Sequence, residues 1–365
     1  MEIKKSKVVI TSIGVSSPIG NSVDSFFKNY ENSVNSFHIE DEELENELGH
    51  FKNVNQRRMD RLTKISMMSA IPCIEGAQIE IDESTINNVG GIFCTAYGPI
   101  SSARNFINSG FELGLDSASP LIFPYTVGNA APGAITVLMK SRGYNTTVSG
   151  YNPIAYAYDV IKRRKAKAIL AGGFEELTPE IEEAYKTRTV INKNGKKEIA
   201  PLDTISEGAA MLFVEEETFA IKRNANILFE LCGYGVSSNF QKEEKSIDNF
   251  GYISPRIIQK SMELALKRSG ISSSKIDLII SLSRKDSEQI ESEIEAIENI
   301  WFKEKPAIHY VKQLLGETFG ASAAFATIVG YLKGKKFKKN KKSKKHIMVN
   351  SYHIGGNCFS LILAI

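Results

Sequence analysis

Short continuous apolar runs recur along this chain, each ending in glycine or small residues, and they limit its possible folds more than any other feature. They are Val8–Ile13, Val89–Cys94, Ala168–Gly173, Ala209–Val214, Asp277–Leu282, His346–Asn350 and Cys358–Ala364. Unbroken hydrophobicity over such lengths suits strands covered on both faces. Between them lie helix-like stretches: Arg61–Gln78, Pro153–Arg164, Arg256–Arg268, Ser287–Asn299 and Ser322–Lys333. Pro153 fits a first helical turn, where its missing N–H costs nothing. Gly270 fits the close of the helix ending near Arg268. Strands alternating with helices predict an α/β fold with mostly parallel sheets.

The two halves share a rhythm of strand, long helices and a glycine-rich turn, at Ala171-Gly172-Gly173 and at Gly355-Gly356. This predicts two similar half-domains, residues 1–215 and 216–365, packed into one body. The length of 365 residues allows this, at ~150 residues per unit. An apolar share of 42% with 24% charged residues is that of an ordinary globular protein. The polar stretch Ile39–Arg58 and the segment Val190–Ile199 read as surface excursions.

Several function classes are excluded. No run of ~18 apolar residues is present to span a membrane. The N-terminus has neither the apolar region nor the cleavage site of a signal peptide, so the cytoplasm is the expected location. Cys73, Cys94, Cys232 and Cys358 are far apart and without Cys/His metal spacing, so they read as free, buried thiols with no metal. A net charge of +3 does not imply nucleic acid. The basic charge is concentrated, however: residues 333–345 contain nine lysines. A solvated loop is the first reading, because like charges repel and stay exposed, and a docking patch for an acidic partner is the alternative.

Val8–Phe27, VVITSIGVSSPIGNSVDSFF, resembles the opening of β-ketoacyl-(acyl carrier protein) synthases. The resemblance recurs in order. Ser119–Ile135 matches the family's interface segment, Gly143–Gly150 the strand before its nucleophile, and Ala166–Leu177 the strand and turn that follow. Pro201–Glu216 resembles the family's EGA strand and Glu291–Ile297 the helix after its first histidine motif. Lys312–Ala324 resembles the lysine and second histidine motif, and Asn350–Leu363 the closing glycine-rich loop and last strand. The resemblance implies a thiolase-type fold, with duplicated half-domains in a layered α-β-α-β-α arrangement.

The family's chemistry needs a cysteine thiolate at a helix N-terminus, where the helix field lowers the thiol pKa. It also needs two histidines that donate hydrogen bonds as an enolate forms. Neither is present. The cysteine position falls on Thr147 if the following helix is matched without gaps. If the strand is anchored instead, about five residues are missing before Tyr151. The first histidine position falls on Leu282 and the second on Glu317. His38, His50, His309, His346 and His353 match neither position, although His309 precedes the retained Lys312 closely enough to share its cavity. Glu293 also keeps its family position, and with Lys312 it suggests a structural ion pair. The family's phenylalanine-containing loop becomes His353-Ile354-Gly355-Gly356, with the glycines kept for the backbone turn.

Ketosynthase-like chains without the cysteine serve type II polyketide synthases, which make antibiotics and pigments, as chain-length factors, the β subunit of the ketosynthase. The resemblance therefore implies a non-condensing subunit with no catalytic residue of its own. It would form a heterodimer, or a dimer of heterodimers, with an active ketosynthase and shape the tunnel that sets polyketide chain length. Phe123, Tyr125, Thr126 and Asn129 are the implied interface or tunnel residues. The chain would carry no cofactor; phosphopantetheine would arrive on the partner acyl carrier protein. Two alternatives stand beside this. One is an acyltransferase or hydrolase using Thr147 or Ser149 as nucleophile. The other is a scaffold that binds the carrier protein through the lysine run.

Overall fold

The computed structural model describes residues 6–33, 36–51, 56, 59–114, 116, 118–186, 189–191, 197–199, 205–238, 253–283, 288–337, 344–353 and 355–365. Twelve strands are described among them: β1 Val8–Ser16, β2 Val89–Cys94, β3 Asn145–Val148, β4 Ala168–Glu175, β5 Thr189–Ile191, β6 Lys197–Ile199, β7 Gly208–Glu216, β8 Phe229–Ser238, β9 Ile276–Ser281, β10 Ala307–Tyr310, β11 His346–His353 and β12 Asn357–Ala364. The described helices are α1 Val23–Glu31, α2 Asp41–Gly49, α3 Arg61–Ala77, α4 Ile100–Leu113, α5 Ala130–Leu138, α6 Pro153–Lys162, α7 Pro179–Lys186, α8 Glu217–Lys222, α9 Pro255–Ser269, α10 Glu288–Ile300, α11 Lys312–Leu315 and α12 Ser322–Lys336.

Ten strands join in the order β10-β9-β11-β12-β8-β1-β7-β4-β2-β3. The order divides into two sets of five that repeat one pattern. In the first, β3, β2 and β4 run parallel, and β7 joins antiparallel between β4 and β1. In the second, β10, β9 and β11 run parallel, and β12 joins antiparallel between β11 and β8. The sets meet where Val8, Val9 and Ile10 of β1 pair with Leu231, Glu230 and Phe229 of β8. The predicted parallel sheet is thus mixed, because β1, β7, β8 and β12 pair antiparallel.

Burial assigns the layers. Helix α12 is buried from Ser322 to Tyr331, which fits a helix enclosed on every side. It packs against β11 and β9 of one set and β4 and β7 of the other, and against α6. Helices α6 and α12 therefore fill the middle of the body. Helix α3 covers the outer face of β1, β7 and β4, and α9 covers β8 and β12 with α10 beside it. The five layers are those of a thiolase-type fold.

One expectation needs correction. The stretch 39–58 is not wholly a surface excursion: its described part folds into α2, and Ile39, Leu44 and Leu48 are buried against α3. A helix with only two buried residues among charged ones looks polar in sequence. The segment 190–199 contributes a hairpin, β5 paired with β6, with 192–196 outside the described residues. Asn152 caps α6 by accepting from the N–H groups of Ile154 and Ala155, with Pro153 in the first turn as predicted. Gly270 closes α9 at φ +70°.

Candidate functional site

The C-terminal ends of the parallel strands converge where the two halves meet, and the site is built there. Strand β10 leads through Val311 into α11, and Gly316 at φ +75° turns the chain back. This brings Glu317 under the start of α12. Its Oε1 accepts from the Phe319 N–H at 2.8 Å and from Ser322 Oγ at 2.7 Å. Its Oε2 forms an ion pair with the Lys312 ammonium. Burial pushes the Glu317 carboxyl up, but Lys312 and these hydrogen bonds outweigh it and hold the group below the ordinary carboxylate range.

Lys312 therefore pairs with Glu317 and not with Glu293, contrary to the sequence expectation. Glu293 is fully buried on α10, where it accepts from Ser281 Oγ at 2.5 Å and Asn350 Nδ2 at 2.9 Å. It ties α10 to the ends of β9 and β11. Leu282 is buried in the central core, and its N–H bonds to the Asn350 carbonyl at 3.1 Å.

Thr147 lies inside β3, opposite Phe93 of β2, and not at a helix N-terminus. The turn 149–151 joins β3 directly to the Asn152 cap. Val148 and this turn therefore separate Thr147 from the start of α6. Tyr151 packs edge-on against Phe359, with ring centroids 4.6 Å apart, and Asn357 Nδ2 donates to the Gly150 carbonyl at 3.0 Å.

His309 does not join Lys312. Its Nε2 lies 2.7 Å from the Tyr30 hydroxyl on α1, and burial, with a smaller push from Lys333, lowers its pKa to about 4. The histidine that does enter the site is His353, which the motif match passed over. It is 8% exposed at the end of β11 and packs edge-on against Phe359. Its Nε2 lies 3.1 Å from Ser351 Oγ, which also meets Asn152 Nδ2 at 3.1 Å. Burial lowers its pKa to about 4, while Glu317 and Lys312 act on it with opposite signs. The signal available in sequence was the spacing of Ser351 and His353, two apart and so on one face of a strand.

Glu175, at the end of β4, is buried and accepts from Thr95 Oγ1 at 2.8 Å and the N–H groups of Ala96 at 2.7 Å and Gly320 at 3.1 Å. Burial raises its pKa to about 7 against these donors. At Gly320 an added Cβ would stand 2.6 Å from Thr95 Cα, so only glycine lets α12 start this close to β2. Phe319 takes φ +46° and packs between the rings of Tyr97 and Tyr185, at 5.1 and 5.2 Å. Gly355 and Gly356, at φ +95° and +79°, make the closing turn, while Ile354 lies outside the described residues.

The implied interface residues lie toward the surface, on a segment that borders this cluster, where a Cβ on Gly128 would stand 3.9 Å from Thr95 Cγ2. Phe123 is 58% exposed, Tyr125 and Thr126 are half-buried, and Asn129 is exposed ahead of α5. Ile107, Phe111, Leu121, Val127 and Val137 are exposed on the same α4–α5 segment. A groove of about 760 Å³ lies between the β3 edge and α6, lined by Tyr144, Val148, Ser149, Tyr151, Tyr156 and Arg163 among others.

Known proteins agree with this architecture. The chain is 28% identical over 261 residues to the 3-oxoacyl-[acyl-carrier-protein] synthase 2 of Staphylococcus aureus (strain COL), covering 64% of this chain and 63% of that one. A Vibrio cholerae protein of the same name is 24% identical over 307 residues, covering 76% and 73%. Among solved structures, the ishigamide ketosynthase/chain length factor superposes with a TM-score of 0.80 at 19% identity, covering 99% of both chains. A type II PKS acyl-carrier protein in complex with its ketosynthase bound to the hexaketide gives 0.78 at 18% identity, covering 98% of this chain and 99% of that one. The family model for the beta-ketoacyl synthase N-terminal domain matches residues 30–220, more than half of the sequence, and the chain belongs to that family.

Proposed function

We propose that this chain is a non-condensing partner of an active ketosynthase, a chain-length factor in the sense used for type II polyketide synthases. One observation carries the reading: a carboxylate, ion-paired to Lys312, stands at Glu317 where condensation needs a hydrogen-bond donor. An anion there opposes enolate formation, and losing even one donor costs ~3–4 kcal/mol of transition-state stabilisation. Thr147 within a strand and a neutral, hydrogen-bonded His353 support the same conclusion.

The exposed apolar face supports a partner. Of the large hydrophobic side chains exposed among the described residues, six lie in the α4–α5 segment, from Ile107 to Val137, beside the open edge strand β3. A clustered apolar patch marks a protein interface. The partner reading includes an acyl carrier protein bringing phosphopantetheine to the active subunit, with none held by this chain.

Co-expression with an active ketosynthase of a type II polyketide synthase tests the proposal. The expected result is a stable complex whose condensing activity is lost when the partner's cysteine is replaced. Condensation by the isolated chain, or a soluble homodimer that ignores every such partner, overturns it.

A further inference from the structure

The ends of the two central helices opposite the site open onto one basic surface. Helices α6 and α12 both start at the site, at Asn152 and Ser322, and both end in cations. Residues 162–165 read Lys-Arg-Arg-Lys and are exposed, and Lys335 and Lys336 are exposed at the end of α12. Polar contacts join the two ends into a single patch. Lys162 Nζ donates to the Ser6 carbonyl at 2.6 Å, and the adjoining Lys7 meets Glu230 Oε2 at 2.8 Å. Lys344 meets the same Glu230 oxygen at 3.2 Å, and Lys345 donates to the Gly334 carbonyl at 2.9 Å.

The carboxylates that meet this surface neutralise it only in part: Asp159 pairs with Arg163 at 3.6 Å, and two others are each shared by two lysines. Glu230 is shared by Lys7 and Lys344, and Glu31 by Lys333 and Lys336, so each acid leaves one positive charge over. Lys345 bonds the Gly334 and Lys335 carbonyls.

Its position separates it from the chemistry. Strand β11 starts at this surface and ends at His353; eight residues of strand span roughly 26 Å. A substrate carrier docked here would sit at the wrong end of the molecule. Its composition argues against a specific protein partner as well. A protein interface wants an aromatic or aliphatic anchor at its centre, and the exposed hydrophobic side chains cluster on α4–α5, with Ile221 on α8 at the border of this face, where the Glu217 N–H bonds the Lys7 carbonyl. Charges spread over a broad face without an apolar anchor fit a delocalised anionic plane.

We propose that this face docks the protein on the anionic phospholipid headgroups of a membrane surface. The inference is independent of the chain-length reading. No described helix is long enough and apolar enough to cross a bilayer, so the attachment is peripheral and electrostatic.

Vesicle co-sedimentation tests it, using the full chain or its complex with phosphatidylcholine vesicles, with and without phosphatidylserine. We expect binding only to the mixed vesicles, and its loss at high salt. Reversing Arg164, Lys165 and Lys335 to glutamate changes three exposed cations that bond no carboxylate in the contacts above. It should lower partitioning by about 100-fold or more and leave the melting temperature unchanged. Equal binding to both vesicle types overturns the proposal. So does undiminished binding by the triple variant. Displacement from the mixed vesicles by an acidic carrier protein at stoichiometric concentration also overturns it, and assigns the face to that protein.

Discussion

Lys312 and Glu317 close an ion pair across the Gly316 turn, so the residue at the second histidine position also locks the entry to α12. Both side chains are largely buried, at 12% and 19% exposure. Removing one partner of such a pair is costlier than removing both, because a lone buried charge stays behind. Glu317→Ala should therefore lose about 3 kcal/mol in urea unfolding, and Lys312→Met/Glu317→Leu much less. A double variant as unstable as the single one would show that Glu317 acts through Phe319 and Ser322, not Lys312.

His353 gives the stability a pH dependence of known sign. Its folded pKa of about 4 lies below its ordinary 6.5. Between those values the unfolded chain binds a proton that the folded chain refuses, so stability rises with pH. The contribution is complete above pH 6.5 and is lost as pH falls toward 4, about 3 kcal/mol in total. Glu175, raised to about 7, works in the opposite direction, but it is common to wild type and variant and cancels in their difference. His353→Gln should flatten the acid limb by about one proton in urea titrations repeated across this range. An unchanged slope would mean that His353 protonates freely in the fold.

Legibility in the sequence followed the physics of each element. Continuous Val/Ile/Leu runs marked β1, β2, β4, β7, β9, β11 and β12, because burial on both faces leaves no alternation to misread. Strands β3 and β10, four residues each at the two ends of the sheet, carry too few apolar residues to stand out. The positions Leu282 and Glu317 were readable because they are sequence facts. The pairing of Lys312 was not, since Gly316 and the α12 start decide which carboxylate it meets. His353 was hidden for a similar reason: only the register of β11 against β12, with His353 opposite Asn357, brings it over the site.

Phe123 tests the exposed face. It is 58% exposed and touches only its neighbour Phe106, at 5.5 Å between ring centroids, among the ring contacts described. Phe123→Asp should leave the isolated chain within ~0.5 kcal/mol of wild type. A central interface aromatic contributes about 2 kcal/mol or more, so the ketosynthase complex should weaken at least about 30-fold by calorimetry. Unchanged affinity would move the interface away from this segment.

Phe319 sets two effects against each other. Its left-handed backbone costs roughly 1 kcal/mol, while its ring, buried between Tyr97 and Tyr185, contributes roughly 3–5 kcal/mol. Packing wins, so both Phe319→Gly and Phe319→Ala should destabilise. The alanine variant keeps the strained φ and should be the worse by about 1 kcal/mol in thermal or urea unfolding. Glycine as the worse of the two would mean that the turn carries no strain.

Restoring the missing nucleophile by itself should not restore acylation. A cysteine at position 147 would sit inside β3, opposite Phe93, with the α6 cap beyond the turn 149–151. There it lacks the helix field that lowers a thiol pKa. The histidines are bound elsewhere, His309 to Tyr30 and His353 to Ser351, and neither is placed to take its proton. Thr147→Cys incubated with acyl carrier protein bearing an acyl thioester should show no acyl adduct by intact mass. The same should hold for Thr147→Cys combined with Glu317→His, because the loop before Asn152 is too short to carry the thiol to the helix end. An adduct on the cysteine of either variant would return Thr147 to the nucleophile position.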